Sequence, residues 1–474
     1  MTVFPPVNQI ALSVVDLALT ERWFREGLGF LPAGGTRLMT SSPLAALIQG
    51  LPKAASTCWW LVGRNPWCQL ELFQFCRPVA RLMAHDARPS DIGYTRIGVW
   101  VADFDAALGR LAALETTPLA AVQGGPGRRR ACVRNPDGVF VELMEEDPLP
   151  SAVAGERTDC PVAVRSVTLS TPDLPATVAY LTALSGRPQA ALSLHGDEHE
   201  GLWGLPGAKC RRAVFQCGDV LVEAVQYLEP LGRPWPEGYR ICDQGILNIA
   251  FGSRNRRDHG EIFRRARAHG ARANARPIHL PGAGVVYVND ALGFSVEILW
   301  MAPGKAERQW GFQPLPPEKR PRADTHRVEA SVIVEAPPDL VWTLLKEQER
   351  MSHWSGFRVA GLAREGHPDR DGRGSERVMK GPGGTVVEQV TELVEKRRIR
   401  YRVIAGSPFV YHQGEVLLRP AGAGTEVTWS IRFRARAPLP GALARPLLRG
   451  LLEKMLVRGF KPYAEGISRL PAVP

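Results

Sequence analysis

The sequence lacks the features that mark several large protein classes. No apolar run approaches the roughly 18 residues needed to span a bilayer, and no basic segment followed by an apolar one opens the chain. The eight cysteines form no Cys-x-x-Cys pair and none follows Cys242, which argues against a disulfide framework or a zinc site. We therefore expect a cytoplasmic protein with reduced, mostly buried thiols and no membrane partner.

A dense tract of basic residues is also missing. The formal net charge is +11, but it is spread along the chain, so nucleic-acid binding is not expected. The 474 residues exceed one ordinary domain and suggest about three. The composition is that of a globular protein.

A unit that recurs four times organises the first 300 residues. Alternating strands start near Gln9, Arg96, Ser166 and Asn248, and an Asp or Asn placed as a helix N-cap follows each strand. Each unit ends in an apolar strand with one glutamate, namely Glu71, Glu142, Glu223 and Glu297. The spacings alternate between long and short, which predicts two tandem pairs over residues 1–147 and 161–302.

A lone glutamate in an apolar strand is expensive to bury without compensation. Four such glutamates at equivalent places must each contact a partner or face a wet cavity. The repeat therefore predicts polar sites on the sheets.

These modules resemble the vicinal oxygen chelate superfamily, which includes glyoxalase I, extradiol dioxygenases and bleomycin-resistance proteins. The resemblance implies an α+β fold in which paired βαβββ modules form cup-shaped mixed sheets. It also implies that metal ligands come from the first and last strands of each module. By position the first pair offers Gln9, Glu71, Arg96 and Glu142, and the second offers Ser166, Glu223, Asn248 and Glu297.

The chain departs from the metal-dependent members because no first-strand position is His. An iron dioxygenase is not expected, because the second pair has Ser166 and Asn248 where such relatives have His, and hydroxyl and amide oxygens hold Fe(II) poorly. Gln9, Glu71 and Glu142 remain as ligands for a possible divalent metal in the first pair. Against this, the charge of Arg96 beside such an ion would cost roughly 8 kcal/mol at a separation of about 4 Å. We favour a cup without cofactor, in which Arg96 pairs the carboxylates and acts with Glu142 in catalysis.

Other features of this half are less informative. The run from His195 to Glu200 has His-x-x-x-His spacing but is interpreted as a solvated acidic loop. Trp60 is a candidate ligand-binding side chain beside the first glutamate strand, as are Glu223, Asn248 and Glu297 in the second pair. Arg128 to Arg130 follow Gly-Gly-Pro-Gly and form either an exposed turn or an anion clamp.

Pro and charge replace periodicity over residues 303–325, which we interpret as a linker. Residues 326–474 then read strand, helix, a series of strands and a long helix carrying Pro446 and Pro462. With the motif VEASVIVEAPPDLVWTLL, this order resembles the START-like (SRPBCC) helix-grip superfamily of polyketide cyclases and dehydrases. The resemblance implies a curved antiparallel sheet around a C-terminal helix, with a cavity for a hydrophobic ligand.

Candidate residues of that cavity are polar side chains on its strands and first helix. His412 and Tyr411 are candidate catalytic residues, although strand alternation lets only one of them face inward. The candidate ligand-binding residues are His353, Glu376, Tyr401 and Trp429. The apolar stripe of the last helix, which includes Leu447 and Leu451, fits a sheet-gripping helix better than a membrane-bound one.

Six arginines alternate outward on two strands of this domain: Arg398, Arg400, Arg402, Arg432, Arg434 and Arg436. A solvated face is the simpler interpretation, and docking of an acidic carrier protein is the alternative.

Taken together, the domains predict an isomerase, lyase or cyclase acting on a bulky oxygenated polyketide or aromatic intermediate of specialised metabolism. The alternatives are a protein that sequesters such a ligand without turnover and a metal-dependent glyoxalase-like enzyme. The fold resemblances favour an enzyme but do not establish one.

Overall fold

The computed structural model describes residues 3–36, 43–149, 154–316, 326–381, 384–435 and 441–470. The chain divides into two compact units, residues 1–321 and 322–474. The first unit contains all four repeats, so the structure joins the two predicted module pairs into one body. All eight cysteines lie in it as free thiols, six of them buried.

Unit 1 repeats a strand followed by a capped helix. The strands are β1 Val7–Ser13, β2 Leu31–Gly35, β3 Ala55–Val62, β4 Gln69–Arg77, β5 Gly93–Val101, β6 Arg130–Arg134, β7 Phe140–Met144, β8 Val162–Ser170, β9 Lys209–Cys217, β10 Val220–Glu229, β11 Gly245–Ser253, β12 Arg272–Ala273, β13 Ile278–Leu280, β14 Ala283–Asn289 and β15 Ser295–Met301. The helices are α1 Leu17–Arg22, which continues as a π-helical turn Trp23–Leu28, α2 Pro43–Gln49, α3 Phe104–Ala113, α4 Leu174–Ser185, a 3₁₀-helix Asp197–Trp203, α5 Arg256–Ala268 and α6 Lys305–Gln309.

The predicted N-caps are confirmed. The side chain of Asp16 accepts a hydrogen bond from the backbone N–H of Leu19, and Asp103, Asp173 and Asn255 cap α3, α4 and α5 in the same way.

Strand pairing joins the modules in an order that differs from the tandem prediction. β1 pairs with β4 of its own module and, antiparallel, with β11 of the fourth module. β5 pairs with its own β7 and, antiparallel, with β8 of the third module. The cups are therefore built from modules 1 and 4 and from modules 2 and 3, and a short β5–β11 contact makes their sheets continuous. We call them the 1/4 cup and the 2/3 cup.

Tandem neighbours contact one another through helices instead. The π-helical turn of module 1 packs on α3 of module 2, and α4 packs on α5. At the first contact, a Cβ on Gly27 would lie 2.7 Å from Leu111, so the helices approach as closely as they do because Gly27 has no side chain. Modules that are neighbours in sequence therefore contact one another through their helices. Their strands pair instead with strands of the other tandem pair.

Part of the predicted linker is ordered structure of unit 1. Residues 305–309 form α6, and Phe312 is fully buried against Trp67. The expectation of a linker from residue 303 is wrong for this part because these apolar side chains complete a core cluster. Residues 317–325 of the expected linker lie outside the described residues.

Unit 2 is a seven-stranded antiparallel sheet with a long C-terminal helix, as predicted. Its strands are β16 His326–Val334, β17 Arg358–Arg364, β18 Glu376–Gly381, β19 Gly384–Val394, β20 Arg398–Ala405, β21 Phe409–Ala421 and β22 Gly424–Ala435, in the order β16-β22-β21-β20-β19-β18-β17. Its helices are α7 Pro338–Lys346, a 3₁₀-helix Gln348–His353, and α8 Gly441–Glu453, which continues through a π-helical segment Lys454–Phe460 into α9 Lys461–Ser468.

The long helix buries Ala444, Leu452, Met455, Leu456 and Phe460 in one core with the sheet residues Trp429 and Phe433. Within the described ranges, no helix is long and apolar enough to cross a bilayer.

Candidate functional site

The 1/4 cup brings together four side chains from four adjacent strands. Ala11 lies opposite both Glu71 and Asn248, while Ala250 lies opposite both Gln9 and Glu297. Residues opposite one another, and residues two apart on a strand, project to the same face of a sheet. Gln9, Glu71, Asn248 and Glu297 therefore share one face, which is a different set from the one predicted for either tandem pair.

A cavity of about 190 Å³ opens above this face. Gln9, Glu71, Glu297 and Tyr287 supply most of its polar lining. Its walls are aliphatic and aromatic side chains, among them Leu44, Ile48, Trp60, Phe73, Leu299 and Trp310. The predicted ligand-binding residues Trp60 and Glu297 thus lie at a cavity, whereas Asn248 is wholly buried beneath it.

The two carboxylates of this cup are poorly compensated. Glu71 accepts hydrogen bonds from Trp60 Nε1 at 2.9 Å and from the Cys58 thiol at 3.4 Å. Burial nevertheless raises the pKa of Glu71. Burial, together with the charge of Glu71, raises the pKa of Glu297 well above its usual range, against the effect of the Tyr287 hydroxyl. Two acids with no cation between them disfavour their own ionisation.

Oxygen atoms on the cavity wall lack partners. Gln9 Oε1 and Glu297 Oε2 are buried and accept no hydrogen bond, although both residues line the cavity. Within the described ranges, no three His, Cys, Asp or Glu side chains cluster as a metal site. The cup instead offers two carboxylates and an amide, which are donors that Mg²⁺ and Mn²⁺ prefer. By donor type, Gln9, Glu71 and Glu297 suit a hard divalent cation.

The charge of Arg96 was the predicted obstacle to a metal ion beside Gln9 and Glu71, and the observed pairing of the modules removes it. Arg96 belongs to the 2/3 cup, so its charge does not lie beside Gln9 and Glu71. For the same reason Glu142 cannot be a ligand with them, and the predicted set of Gln9, Glu71 and Glu142 is wrong.

The 2/3 cup has the equivalent positions, again with two glutamates, but in this cup cationic side chains lie beside the glutamates. Arg96 lies opposite Thr168, and Gly98 lies opposite both Ser166 and Glu142, so this cup combines Arg96, Glu142, Ser166 and Glu223. The Arg96 guanidinium is 3.1 Å from Glu223 Oε2 and 3.6 Å from Glu142 Oε2. The expectation that Arg96 pairs Glu71 and Glu142 is correct for Glu142 and wrong for Glu71, because Glu223 is the second partner.

His195 completes this network, which the sequence analysis missed. Its Nε2 is 2.8 Å from Glu142 and its Nδ1 is 2.8 Å from Glu223, so the imidazole bridges the two carboxylates. Although burial acts to lower the pKa of His195, the two carboxylates raise it, and the contact of both ring nitrogens with carboxylate oxygens favours the imidazolium. Conversely, His195 and the arginines hold the pKa of Glu142 well below its usual range and lower that of Glu223, despite burial.

Two further side chains close the 2/3 cup. Arg130 donates to Glu142 at 2.7 Å, and Trp203 stacks 3.7 Å from the Arg96 guanidinium. The run from His195 to Glu200, expected to be a solvated loop, lies mostly in the 3₁₀-helix Asp197–Trp203, and both His195 and Trp203 are buried. The local spacing around His195 does not predict its role. The sequence signal that could have indicated it is the need of buried Glu142 and Glu223 for a cationic partner.

Unit 2 has a polar cluster on the inner face of its sheet. Arg377 pairs with Glu388 through Nε at 2.9 Å and lies over the Tyr401 ring, whose hydroxyl accepts from Trp429 Nε1 at 2.9 Å. His412 packs near the rings of Tyr401 and Phe409, and its Nε2 is buried without a hydrogen-bond partner. Burial lowers the pKa of His412, which favours the neutral imidazole.

Three other predicted residues of this unit lie elsewhere. Tyr411 is on the opposite face from His412 because adjacent strand residues alternate. Glu376 accepts from Gln389 on the outer face, and its neighbour Arg377 points inward instead. His353 is exposed and stacks on Tyr463.

Two arginines of the predicted face, Arg398 and Arg400, form ion pairs. Arg398 and Arg400 pair with Glu392, Arg400 also pairs with Glu415, and Arg402 donates to Gln389. Arg436 lies outside the described residues. Docking of an acidic carrier protein stays a prediction, with less charge available for it.

Comparison with known proteins matches residues 325–467 to the profile of a family described as polyketide cyclase / dehydrase and lipid transport. No curated protein matches the chain. Among solved structures, glyoxalase I from Zea mays shares 15% identity over 62% of this chain and 92% of its own, with a TM-score of 0.41. A candidate dioxygenase from Bacillus subtilis shares 14% identity over 67% and 92%, with a TM-score of 0.46. A Thermus thermophilus protein shares 23% identity over 30% and 99%, with a TM-score of 0.25.

Proposed function

We propose that the chain is a small-molecule enzyme of the isomerase or lyase type whose reaction takes place in the 1/4 cup. In this proposal the cup binds a divalent cation together with an oxygenated, partly apolar substrate. The observation that supports it most directly is that Glu71 and Glu297 line a cavity whose described lining has no cationic side chain. Three oxygens of lining residues, Gln9 Oε1, Gln49 Oε1 and Glu297 Oε2, are buried there without a hydrogen-bond partner, and buried acceptors normally have one.

Gln9, Glu71 and Glu297 would hold the cation. Their oxygens suit Mn²⁺ or Mg²⁺, and the charge of the ion would compensate the two buried carboxylates. A bound divalent ion would polarise paired oxygens of a substrate. Trp60 keeps Glu71 in place by donating to its carboxylate, which leaves the ligand position defined before the ion arrives.

The cavity also limits the size and the charge of the substrate. Its volume of about 190 Å³ accommodates about one substituted aromatic ring, since a protein cavity of about 150 Å³ takes up benzene. Among the described lining residues there is no Lys, Arg or His, so an anionic substrate group would be buried beside two acids without a cation of the protein. We infer that the part of the substrate in the cup is an uncharged ring with neighbouring oxygens, and that any bulkier remainder extends outside.

The apolar walls assist chemistry in two ways. Trp60, Phe73 and Trp310 orient a flat ring, and together with Leu299 they exclude water from the acidic floor. The alternative of a sequestering protein has the same cavity and differs only in turnover.

The test uses the full-length chain, Mn²⁺ and 4-methylcatechol, an uncharged ring with adjacent oxygens. Calorimetry should show Mn²⁺ binding to one site and 4-methylcatechol binding only in its presence, with Glu297→Gln weakening Mn²⁺ at least about 100-fold. Glu229→Gln, which removes an exposed carboxylate of β10, is the matched control. Equal Mn²⁺ affinity in wild type and Glu297→Gln would contradict the proposal. Unchanged recovery of every bound oxygenated arene would support sequestration instead of catalysis.

A second candidate function concerns unit 2. The imidazole of His412 lies near the Tyr401 ring, and its buried Nε2 has no hydrogen-bond partner, so it has the chemistry of a proton acceptor. Residues 325–467 match the profile of polyketide cyclases and dehydrases. We propose that this interior binds a polyketide or aromatic intermediate. Fluorescence of N-phenyl-1-naphthylamine, an uncharged apolar probe, should change on binding. His412→Leu should alter probe affinity, whereas Tyr411→Leu on the opposite face should not; the reverse pattern would contradict the assignment.

A further inference from the structure

The C-terminal helix carries a second apolar stripe that the core does not use. Leu443, Leu447 and Leu451 are 61%, 76% and 40% exposed. The sequence analysis assigned Leu447 and Leu451 to the buried stripe, and the structure shows that this is wrong. The sheet is gripped by the other face, through Leu452, Met455 and Leu456.

The spacing places these leucines together. Residues four apart lie on one side of an α-helix, one turn above another. A helix that packs on a sheet needs one apolar face, and its opposite face is ordinarily polar. Contiguous exposed apolar side chains of this kind mark an interaction surface.

The charge of the same helix limits the kinds of partner that this surface can bind. Residues 441–468 contain five Lys or Arg against two Glu. The turns that follow the leucines on the exposed side carry Lys454 and Arg458, both exposed. Arg445 and Arg449 are exposed beside the leucines, and Arg449 pairs with Glu453. The outer face therefore combines a row of leucines with basic side chains along its length, which is the pattern of a helix lying on an anionic lipid surface.

We propose that this face docks unit 2 onto an anionic lipid bilayer, with Leu443, Leu447 and Leu451 entering the acyl boundary and Lys454 and Arg458 contacting headgroups. A second copy of the chain fits less well, because two such helices would bring like charges together. A fluid lipid surface accommodates a convex row of leucines without a preformed groove. The proposal does not depend on the chemistry of the 1/4 cup.

The test is flotation of the full-length chain with vesicles of phosphatidylcholine alone or mixed 3:1 with phosphatidylglycerol. We expect binding to the anionic vesicles that weakens with salt and is much weaker on neutral ones. Leu447→Glu should reduce the bound fraction about tenfold. Leu231→Glu, at an equally exposed leucine of unit 1 (74%), should leave it unchanged.

Both variants alter exposed side chains, so circular dichroism and melting should match wild type. Equal flotation of Leu447→Glu and wild type would overturn the proposal. So would absence of flotation with both vesicles, together with a dimer in light scattering that Leu447→Glu dissociates, since a second copy would then cover the stripe.

Discussion

The two cups of unit 1 place a pair of glutamates at the same positions and compensate them in opposite ways. In the 2/3 cup, the imidazolium of His195 bridges Glu142 and Glu223, with Arg96 and Arg130 beside them. In the 1/4 cup, Glu71 and Glu297 have neutral donors only, and a cavity opens above them. One cup has cations of its own, and the other is suited to accept one.

The difference shows how one scaffold separates stability from function. A buried carboxylate pair with built-in cations is rigid and closed, whereas a pair without them is a binding site that weakens the fold until it is filled. Identical Glu→Gln substitutions in the two cups should therefore change the free energy of unfolding in opposite directions.

The largest expected effect is that of His195→Ala. It leaves Glu142 and Glu223 buried with fewer cations and should destabilise unit 1 by about 3–5 kcal/mol. The unit 1 transition in calorimetry of the full chain measures it. His199→Ala, in the same segment but only partly buried, should cost about 1 kcal/mol or less. Equal effects would show that His195 is not the bridging cation.

Matched Glu→Gln substitutions come next. Glu223→Gln removes an ion-paired carboxylate and should destabilise unit 1 by about 2–4 kcal/mol. Glu297→Gln removes a carboxylate whose pKa is raised by burial and by Glu71, so in the absence of added cation it should stabilise unit 1 by about 1–2 kcal/mol at pH 7. Chemical denaturation in the presence of a chelator measures the free energy of unfolding of both variants. Destabilisation by both variants would remove the distinction between the cups.

A change in pH should alter the stability of the two cups differently, by about 1–2 kcal/mol. Glu142 and Glu223 have lowered pKa values, so their contribution is present above the unfolded pKa and lost as pH falls through the folded one; that of His195, whose pKa is raised, is lost as pH rises through its folded value. Glu71 and Glu297 have raised pKa values and so destabilise the fold as pH rises through the range between the unfolded and folded values. From pH 5 to pH 7, hydrogen exchange, corrected for intrinsic rates, should show β1 and β11 losing protection relative to β5 and β8. Parallel changes would contradict this.

The smallest predicted effect is that of Trp60→Phe. It removes the indole donor to Glu71 and should lower Mn²⁺ affinity about fivefold to tenfold, close to 1 kcal/mol. Trp59→Phe, on the neighbouring position that faces away from Glu71, is the control and should leave the affinity unchanged. A titration that gives the same result for both variants would exclude a role for the Trp60 donor.

Local patterns predicted the modules well, and they failed where partners are distant in sequence. The N-cap role of Asp16 and the strands of unit 2 follow from periodicity and turn chemistry. The pairing of β1 with β11 does not, because strand edges carry no local label of their partner. As a result the eight cup positions were correct, but their grouping was wrong. His195 was missed because its partners, Glu142 and Glu223, are 53 and 28 residues away.

Electron paramagnetic resonance can locate the Mn²⁺ site by comparing the full-length wild type, Glu71→Gln and Glu223→Gln, each checked for native circular dichroism. We expect one bound Mn²⁺ in wild type and in Glu223→Gln, and at least about 100-fold weaker binding in Glu71→Gln. Binding that survives Glu71→Gln, or that is lost in Glu223→Gln, would contradict the assignment of the cation site to the 1/4 cup.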